Sequence, residues 1–308
     1  MKTRILVNPR AGSGAATATL PLVERGLRER GDAFDVAPTR GPGDAARIVR
    51  EARDDGVDCV VVVGGDGTLN EACQGFLDEA GAVRPGPDLA VVPAGTGADF
   101  VRTFDVGPGA AAAVARFLAS PGRRVDLGVA EFEGHDGAPV RRAFVNILSF
   151  GLGGLTDRIV TRSPKWMGGR AAFFSGALRA LLAYENLPVL VTVDGRPCLE
   201  APILNVAVAN GRYFGAGMKI APEADPSDGL FDVVALYDLT RAQGLGLAYK
   251  IYRGTHPGSR GVRVARGREV RAAPIRDDLE VLIDLDGETP GRLPLTTRVE
   301  PGALTFRI

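Results

Sequence analysis

Cysteine is scarce in this sequence. Only Cys59, Cys73 and Cys198 occur, none in a C-x-x-C pair. That excludes a disulfide framework or a cysteine-built zinc site and fits a reducing compartment. Cys59 lies in a valine run and Cys73 on the apolar face of an expected helix, so both read as small core hydrophobes. Histidine is scarcer still: His135 and His256 sit in polar, turn-rich segments. Both read as solvated loop residues, and no Ser-His-Asp arrangement can be built from them. Lysine appears four times against 33 arginines, which reads as a coding bias rather than chemistry. Net charge is also missing, with 37 basic and 37 acidic residues, so nothing points to nucleic acid. No run of 18 apolar residues could span a membrane as a helix. The first residues, Met1-Lys2-Thr3-Arg4-Ile5, lead straight into a strand without a signal-peptide apolar stretch. A cytoplasmic protein is therefore expected. What the chain does have is 45% hydrophobic residues over 308 positions, enough for one large or two medium domains.

The first 125 residues alternate strand-like and helix-like patterns. Ile5–Val7, Phe34–Val36, Cys59–Val63 and Leu89–Val92 read as strands. Between them, Leu20, Val23 and Leu27, then Ala45, Ile48, Val49 and Ala52, then Leu69, Ala72, Cys73 and Phe76 fall on single helical faces. The Cys59–Val63 run has no polar alternation, as a strand buried on both sides of a parallel sheet requires. This rhythm predicts a doubly wound, mainly parallel α/β domain over 1–125.

Past Val125 strand-like segments follow one another: Val125–Phe132, Ala143–Leu148, Val189–Val193, Ile203–Ala209, Leu230–Leu236, Glu269–Ala273, Leu279–Leu285 and Thr297–Ile308. Gly, Pro and Asp separate them. The pattern predicts a β-rich antiparallel sandwich over 126–308, interrupted by helices near Gly169–Tyr184 and Thr240–Tyr252.

Three glycine-rich turns close strands of the first domain. Gly64-Gly65-Asp66-Gly67-Thr68 follows the valine run, with a helix expected from Thr68 onward. Asn8-Pro9-Arg10-Ala11-Gly12 ends the first strand, and Pro93-Ala94-Gly95-Thr96-Gly97-Ala98-Asp99-Phe100 ends a later one. Ligands of open α/β sheets bind outside the carboxyl ends of the strands. Glycines there let backbone approach a phosphate, and helix-start N–H groups favour an anion. Asp66 would repel phosphates unless a cation intervened, and Mg²⁺ is the natural one. Neither a Walker A nor a Rossmann fingerprint can be placed on these turns.

The ordered series Asn-Pro-x-x-Gly, Gly-Gly-Asp-Gly-Thr-Leu-Asn-Glu and Gly-Thr-x-x-Asp-Phe resembles the diacylglycerol kinase catalytic-domain family, which includes bacterial lipid kinases and sphingosine and ceramide kinases. Asn210–Pro222, Ala224–Asp232 and Asp286-Gly287-Glu288 continue the resemblance through the second half. It implies an ATP- and Mg²⁺-dependent kinase that phosphorylates a lipid hydroxyl in a cleft between the two domains. Asn8, Pro9, Arg10, Ala11 and Gly12, with Thr39, Gly65, Asp66, Gly67, Thr68, Leu69, Asn70, Glu71 and Thr96, would line the nucleotide. Asp66 would also serve the network around catalytic Mg²⁺. Asp225, Asp228 and Leu230 would form a structural metal site of oxygen ligands. Glu288, with Asp286 as partner or rival, would accept the hydroxyl proton.

One position departs from the family: Ala98 stands where asparagine is usual, and alanine has no amide to donate or accept. The resemblance implies a lipid partner at a membrane surface, met peripherally at the inner face, and is compatible with a homodimer. Trp166, close in sequence to Arg162, Lys165 and Arg170, would suit an anionic interface. Phe173, Phe174, Leu178 and Leu181 read as core or cleft-lining residues. Two rival readings share the architecture: an NAD kinase-like enzyme, which also carries Gly-Gly-Asp-Gly, and a non-catalytic nucleotide- or lipid-binding relative.

Overall fold

The computed structural model describes residues 1–94, 98–105, 109–161, 176, 179–181 and 183–308. They form two compact units. One is Met1–Leu127 together with Glu300–Ile308, and the other is Gly128–Val299.

In the first unit β1 (Lys2–Val7), β2 (Ala33–Pro38), β3 (Cys59–Gly64) and β4 (Asp88–Pro93) pair in the order β2-β1-β3-β4, all parallel. Helices α1 (Ala15–Arg30), α2 (Asp44–Asp54), α3 (Asp66–Cys73), the short α4 (Asp99–Arg102) and α5 (Ala110–Ala119) connect them. Ile5, Val7, Val61, Val63 and Val92 pack in one cluster with Val23 and Leu27 of α1 and Val114 and Phe117 of α5. Their strand neighbours Leu6, Val60 and Val62 point the other way and are also fully buried. Burial of both faces is why the valine run shows no alternation. Burial also pushes the Cys59 thiol up to about 12, and Cys73 is fully buried, as core cysteines should be.

The second unit is antiparallel. Its strands are β5 (Arg123–Gly134, entered from the first unit), β6 (Pro139–Phe144), β7 (Ile147–Gly151), β8 (Leu187–Val193), β9 (Arg196–Ala209), β10 (Phe231–Tyr237), β11 (Val262–Gly267), β12 (Glu269–Pro274), β13 (Leu282–Leu285) and β14 (Glu288–Phe306). Neighbours run β11-β10-β9-β7-β13-β14, while β8 pairs with β9 and β12. Alternation sorts β9 between two cores. Val206 and Val208 join Phe144, Phe150, Phe231 and Ile283, and Phe144 stacks on Phe231 at 5.5 Å. Ala207 and Ala209 face Leu247 and Ile251 of α7 (Arg241–Arg253). A further helix, α6 (Leu152–Thr161), follows β7.

Several sequence expectations need correction. Helix α3 starts at Asp66, because the Gly65 carbonyl already accepts the Leu69 N–H at 3.1 Å. The expected strand Ala143–Leu148 is two strands, broken where the Asn146 carbonyl turns to the Asn210 and Gly211 amides. Strand β11 was not expected, since its arginines mask the pattern. His256 is not solvated: it is fully buried and its Nε2–H donates to the Ile220 carbonyl at 2.9 Å. The final segment does not end in the sandwich. Phe306 pairs with Leu89 of β4 in parallel, so residues 300–308 return to the first unit. Most of the expected Gly169–Tyr184 helix, with Phe173, Phe174 and Leu178, lies outside the described residues, as does Trp166 before it. Leu181 is partly buried against the α7 side.

Candidate active site

The carboxyl ends of β1, β3 and β4 lie side by side in the first unit, and their turns are tied together. The Asn8 N–H donates to the Val63 carbonyl at 3.1 Å, and the Ala94 N–H to that of Gly64 at 2.8 Å. The Asn8 amide donates to the Thr68 hydroxyl at 3.0 Å while its oxygen accepts the Arg10 N–H. Gly12, with φ +57°, presses against the Ala94 carbonyl so closely that any Cβ would collide with it. This glycine thus brings the first and third turns into contact. The Thr39 N–H donates to the Val7 carbonyl at 2.9 Å, which sets it beside the first turn.

Asp66 opens α3 and points at the start of α4. Its carboxylate accepts the Asp99 N–H at 3.3 Å and is bonded by the amides of Phe100 and Ala98. Burial pushes its pKa up, and those amides only partly oppose the shift. A largely desolvated carboxylate among these glycine-rich turns is one that a divalent cation would suit. Asp99 is buried and pairs with Arg102, three residues further along α4, at 3.4 Å. Ala98 has φ +53°, left-handed backbone that alanine adopts only under strain.

The remaining residues of the Gly65–Glu71 series divide. Gly67 is exposed with open space before it, whereas Leu69 and Asn70 are buried. Glu71 accepts the Ala45 N–H at 3.1 Å, bracing the first turn of α2. Pro9 and Arg10 are exposed and Ala11 is half-buried. Thr96, with Gly95 and Gly97, lies outside the described residues.

In the second unit the Asp286-Gly287-Glu288 turn is fastened at both sides. Asp286 has φ +50°. One of its oxygens accepts the Ile147 N–H at 2.8 Å and the other the Val145 N–H at 3.1 Å. Asp284, two residues earlier, accepts the Gly287 N–H at 2.8 Å and the Ser149 hydroxyl at 3.0 Å. Ser149, Asn205 and Asp284 are all buried, and Asn205 accepts the Gly153 N–H at the start of α6. Sequence reading missed this buried polar group because its members are scattered over three strands. Glu288 differs from both aspartates: it is exposed, and Arg142 donates to it at 2.9 Å.

Asp225, Asp228 and Leu230, the expected metal residues, lie together in one hydrogen-bonded loop. The Asp225 carboxylate accepts the Ser227 N–H and hydroxyl at 3.1 and 2.7 Å. One Asp228 oxygen accepts the Leu230 N–H at 3.0 Å, and Arg266 is seated on the other. Arg266 also reaches Asp232 at 3.3 Å. Burial raises the Asp232 pKa, and the guanidinium counters the shift. Among the described residues no three His, Cys, Asp or Glu side chains converge on a point where a metal could sit. The Asp228 carboxylate is thus engaged from within the chain by the Leu230 amide and Arg266.

A Diacylglycerol kinase catalytic domain matches residues 2–130, and a YegS C-terminal NAD kinase beta sandwich-like domain matches 146–307. The chain belongs to the diacylglycerol kinase family. Among relatives of this diacylglycerol kinase-family chain is a Mycobacterium tuberculosis protein named diacylglycerol kinase, 29% identical over 98% of this chain and 94% of its own. Another is the Shigella flexneri protein named "probable lipid kinase YegS", 32% identical over 72% of this chain and 71% of its own. The fold is shared with the crystal structure of a diacylglycerol kinase from Bacillus anthracis (TM-score 0.71, 23% identity, 99% of this chain and 96% of that one). Yeast NADH kinase shares it more distantly (TM-score 0.51, 11% identity, 99% and 82%). Among the described residues no helix is long and apolar enough to cross a membrane.

Proposed function

We propose that this protein is a phosphotransferase that moves the γ-phosphate of ATP to the hydroxyl of a lipid of the diacylglycerol type. The observation that carries the reading is the family match along both units, joined to the two anchored turns that bear Asp66 and Glu288. ATP is held at the turns around Asn8, Gly12, Gly65, Gly67 and Thr68, where Gly67 is exposed with open space for a phosphate to approach. Mg²⁺ carried with ATP would supply charge neutralisation, and Asp66 is the carboxylate of these turns that would help to hold it.

Glu288 is the proton acceptor. Both Asp286 oxygens are engaged with backbone amides, so Asp286 shapes the turn, whereas the Glu288 carboxylate is exposed. As the lipid oxygen bonds to the γ-phosphorus, the bond from that phosphorus to the bridging oxygen breaks and ADP leaves. The hydroxyl proton passes to Glu288. Arg142 holds the carboxylate until the acceptor arrives.

The test is incubation of the protein with labelled ATP, Mg²⁺ and total lipid extract, with products read by mass spectrometry. Label in a phospholipid that is lost in Glu288→Gln supports the reading. Label in NAD and not in lipid would overturn it.

A further inference from the structure

Helix α7 carries a surface that the proposed chemistry does not use. Its buried side is Gly244, Leu247 and Ile251. On the opposite side Leu245, Tyr249 and Tyr252 are 58%, 67% and 44% exposed. Their spacing of i, i+4 and i+7 sets them in one stripe along the helix. Large apolar side chains exposed in a row mark a contact surface rather than scatter.

The charges around the stripe have one sign. Arg241, Lys250 and Arg253 are exposed, and Arg241–Arg253 contains no acidic residue. The nearest one upstream is Asp238, before the Thr240 cap. The Arg253 guanidinium lies 5.8 Å from the Tyr249 ring centroid and donates to its hydroxyl at 3.3 Å. Lys219 passes this end of the helix, its backbone N–H donating to the Ile251 carbonyl at 3.2 Å while its ammonium lies 5.8 Å from the Tyr213 ring centroid. Cations in the last turn suit the helix dipole, but Arg241 at the first position opposes it. Helix electrostatics therefore do not account for the arginine there.

We propose that this face of α7 docks the protein on an anionic lipid bilayer. Leu245, Tyr249 and Tyr252 enter the headgroup layer while Arg241, Lys250 and Arg253 meet lipid phosphates. Tyrosine and leucine flanked by cations is the composition of an interfacial helix. A second copy of the chain is the poorer occupant, because two-fold packing of this helix on itself would set like charges together. The proposal rests on the lipid-kinase reading in one respect: an acceptor resident in a membrane must be met at its surface.

The experiment is co-sedimentation of the full chain with phosphatidylcholine vesicles, with and without phosphatidylglycerol. Wild type is expected to bind the anionic vesicles. Leu245→Ser with Tyr249→Ser should weaken binding about tenfold or more. Arg241→Glu should weaken it about tenfold. It places a favourable charge at the helix start, so its melting temperature should not fall. Wild-type affinity in either variant overturns the proposal, as does failure of wild type to bind. So does conversion of a dimer to a monomer by the double substitution, which would make the face a self-contact. Phosphorylation of a dispersed short-chain diacylglycerol, equal in wild type and variants, separates docking from chemistry. If wild type phosphorylates no lipid, the kinase reading fails while the sedimentation result still decides docking.

Discussion

Asn8 and Thr68 are sixty residues apart, yet the amide of one donates to the hydroxyl of the other at 3.0 Å. That bond sets the spacing of the turns that follow β1 and β3. Asn8→Ala removes it and should cost about 1 kcal/mol of stability. The larger effect should be on nucleotide: KM for ATP is expected to rise several-fold while the acceptor KM holds. Steady-state kinetics with each substrate varied in turn would show it.

Ala98 occupies left-handed backbone at φ +53°. Asparagine and glycine tolerate that region far better than alanine. Ala98→Gly and Ala98→Asn should each stabilise the protein by about 1 kcal/mol, seen as a higher melting temperature. A gain of turnover in Ala98→Asn alone would assign the amide a part in phosphate orientation. Equal turnover in both would leave it a brace for the loop.

Glu288 and Asp286 should fail in different ways. Glu288→Gln is expected to lower kcat at least about a hundredfold with an unchanged melting curve. Asp286→Ala strips partners from the Val145 and Ile147 amides and should cost about 3 kcal/mol. Thermal melting beside turnover distinguishes them, and the reverse pattern would exchange their roles.

Arg266 faces Asp232 across β10 and β11 and also reaches Asp228. Arg266→Gln leaves the buried Asp232 uncompensated and should cost about 2 kcal/mol at neutral pH, reduced because the arginine is partly exposed. Burial already holds the Asp232 pKa above its unfolded value. The protonated carboxyl therefore favours the folded state at acid pH, and that contribution is lost as pH rises through the folded value. The variant's deficit should accordingly shrink on acidification. For the wild type without nucleotide, chelator should leave the melting temperature unchanged, since Arg266 supplies the positive charge at this loop.

His256 gives a second pH signature of opposite sense. Burial lowers its pKa in the folded protein, so the folded state holds it neutral. Stability from this group is complete above the unfolded value near 6.5 and is lost as pH falls below it, by at most about 1.4 kcal/mol per unit. His256→Gln should flatten that slope in melts between pH 7 and 5.

The valine run, its glycine turn and the order of the family motifs were legible because each is local: burial on both faces writes an unbroken apolar strand. Other features were hidden by being non-local. His256 lies in a polar stretch, and the Ile220 carbonyl that satisfies it in the interior is distant in sequence. The Ser149–Asn205–Asp284 group is assembled by the pairing of β7 with β9 and β13. Strand β11 exposes arginines that reach Asp228, Asp232 and Cys198 across the sheet, and its hydrophobic signal is diluted accordingly. The Ala98 departure was visible as a letter, but only its backbone angle shows what it strains.

The last strand pairs Phe306 with Leu89, although the unit that Phe306 completes begins at Met1. On the ribosome, the first unit must therefore wait with the outer edge of β4 unpaired while all of Gly128–Val299 is made. Order of synthesis and order of completion are inverted in this chain: the unit begun first is closed last.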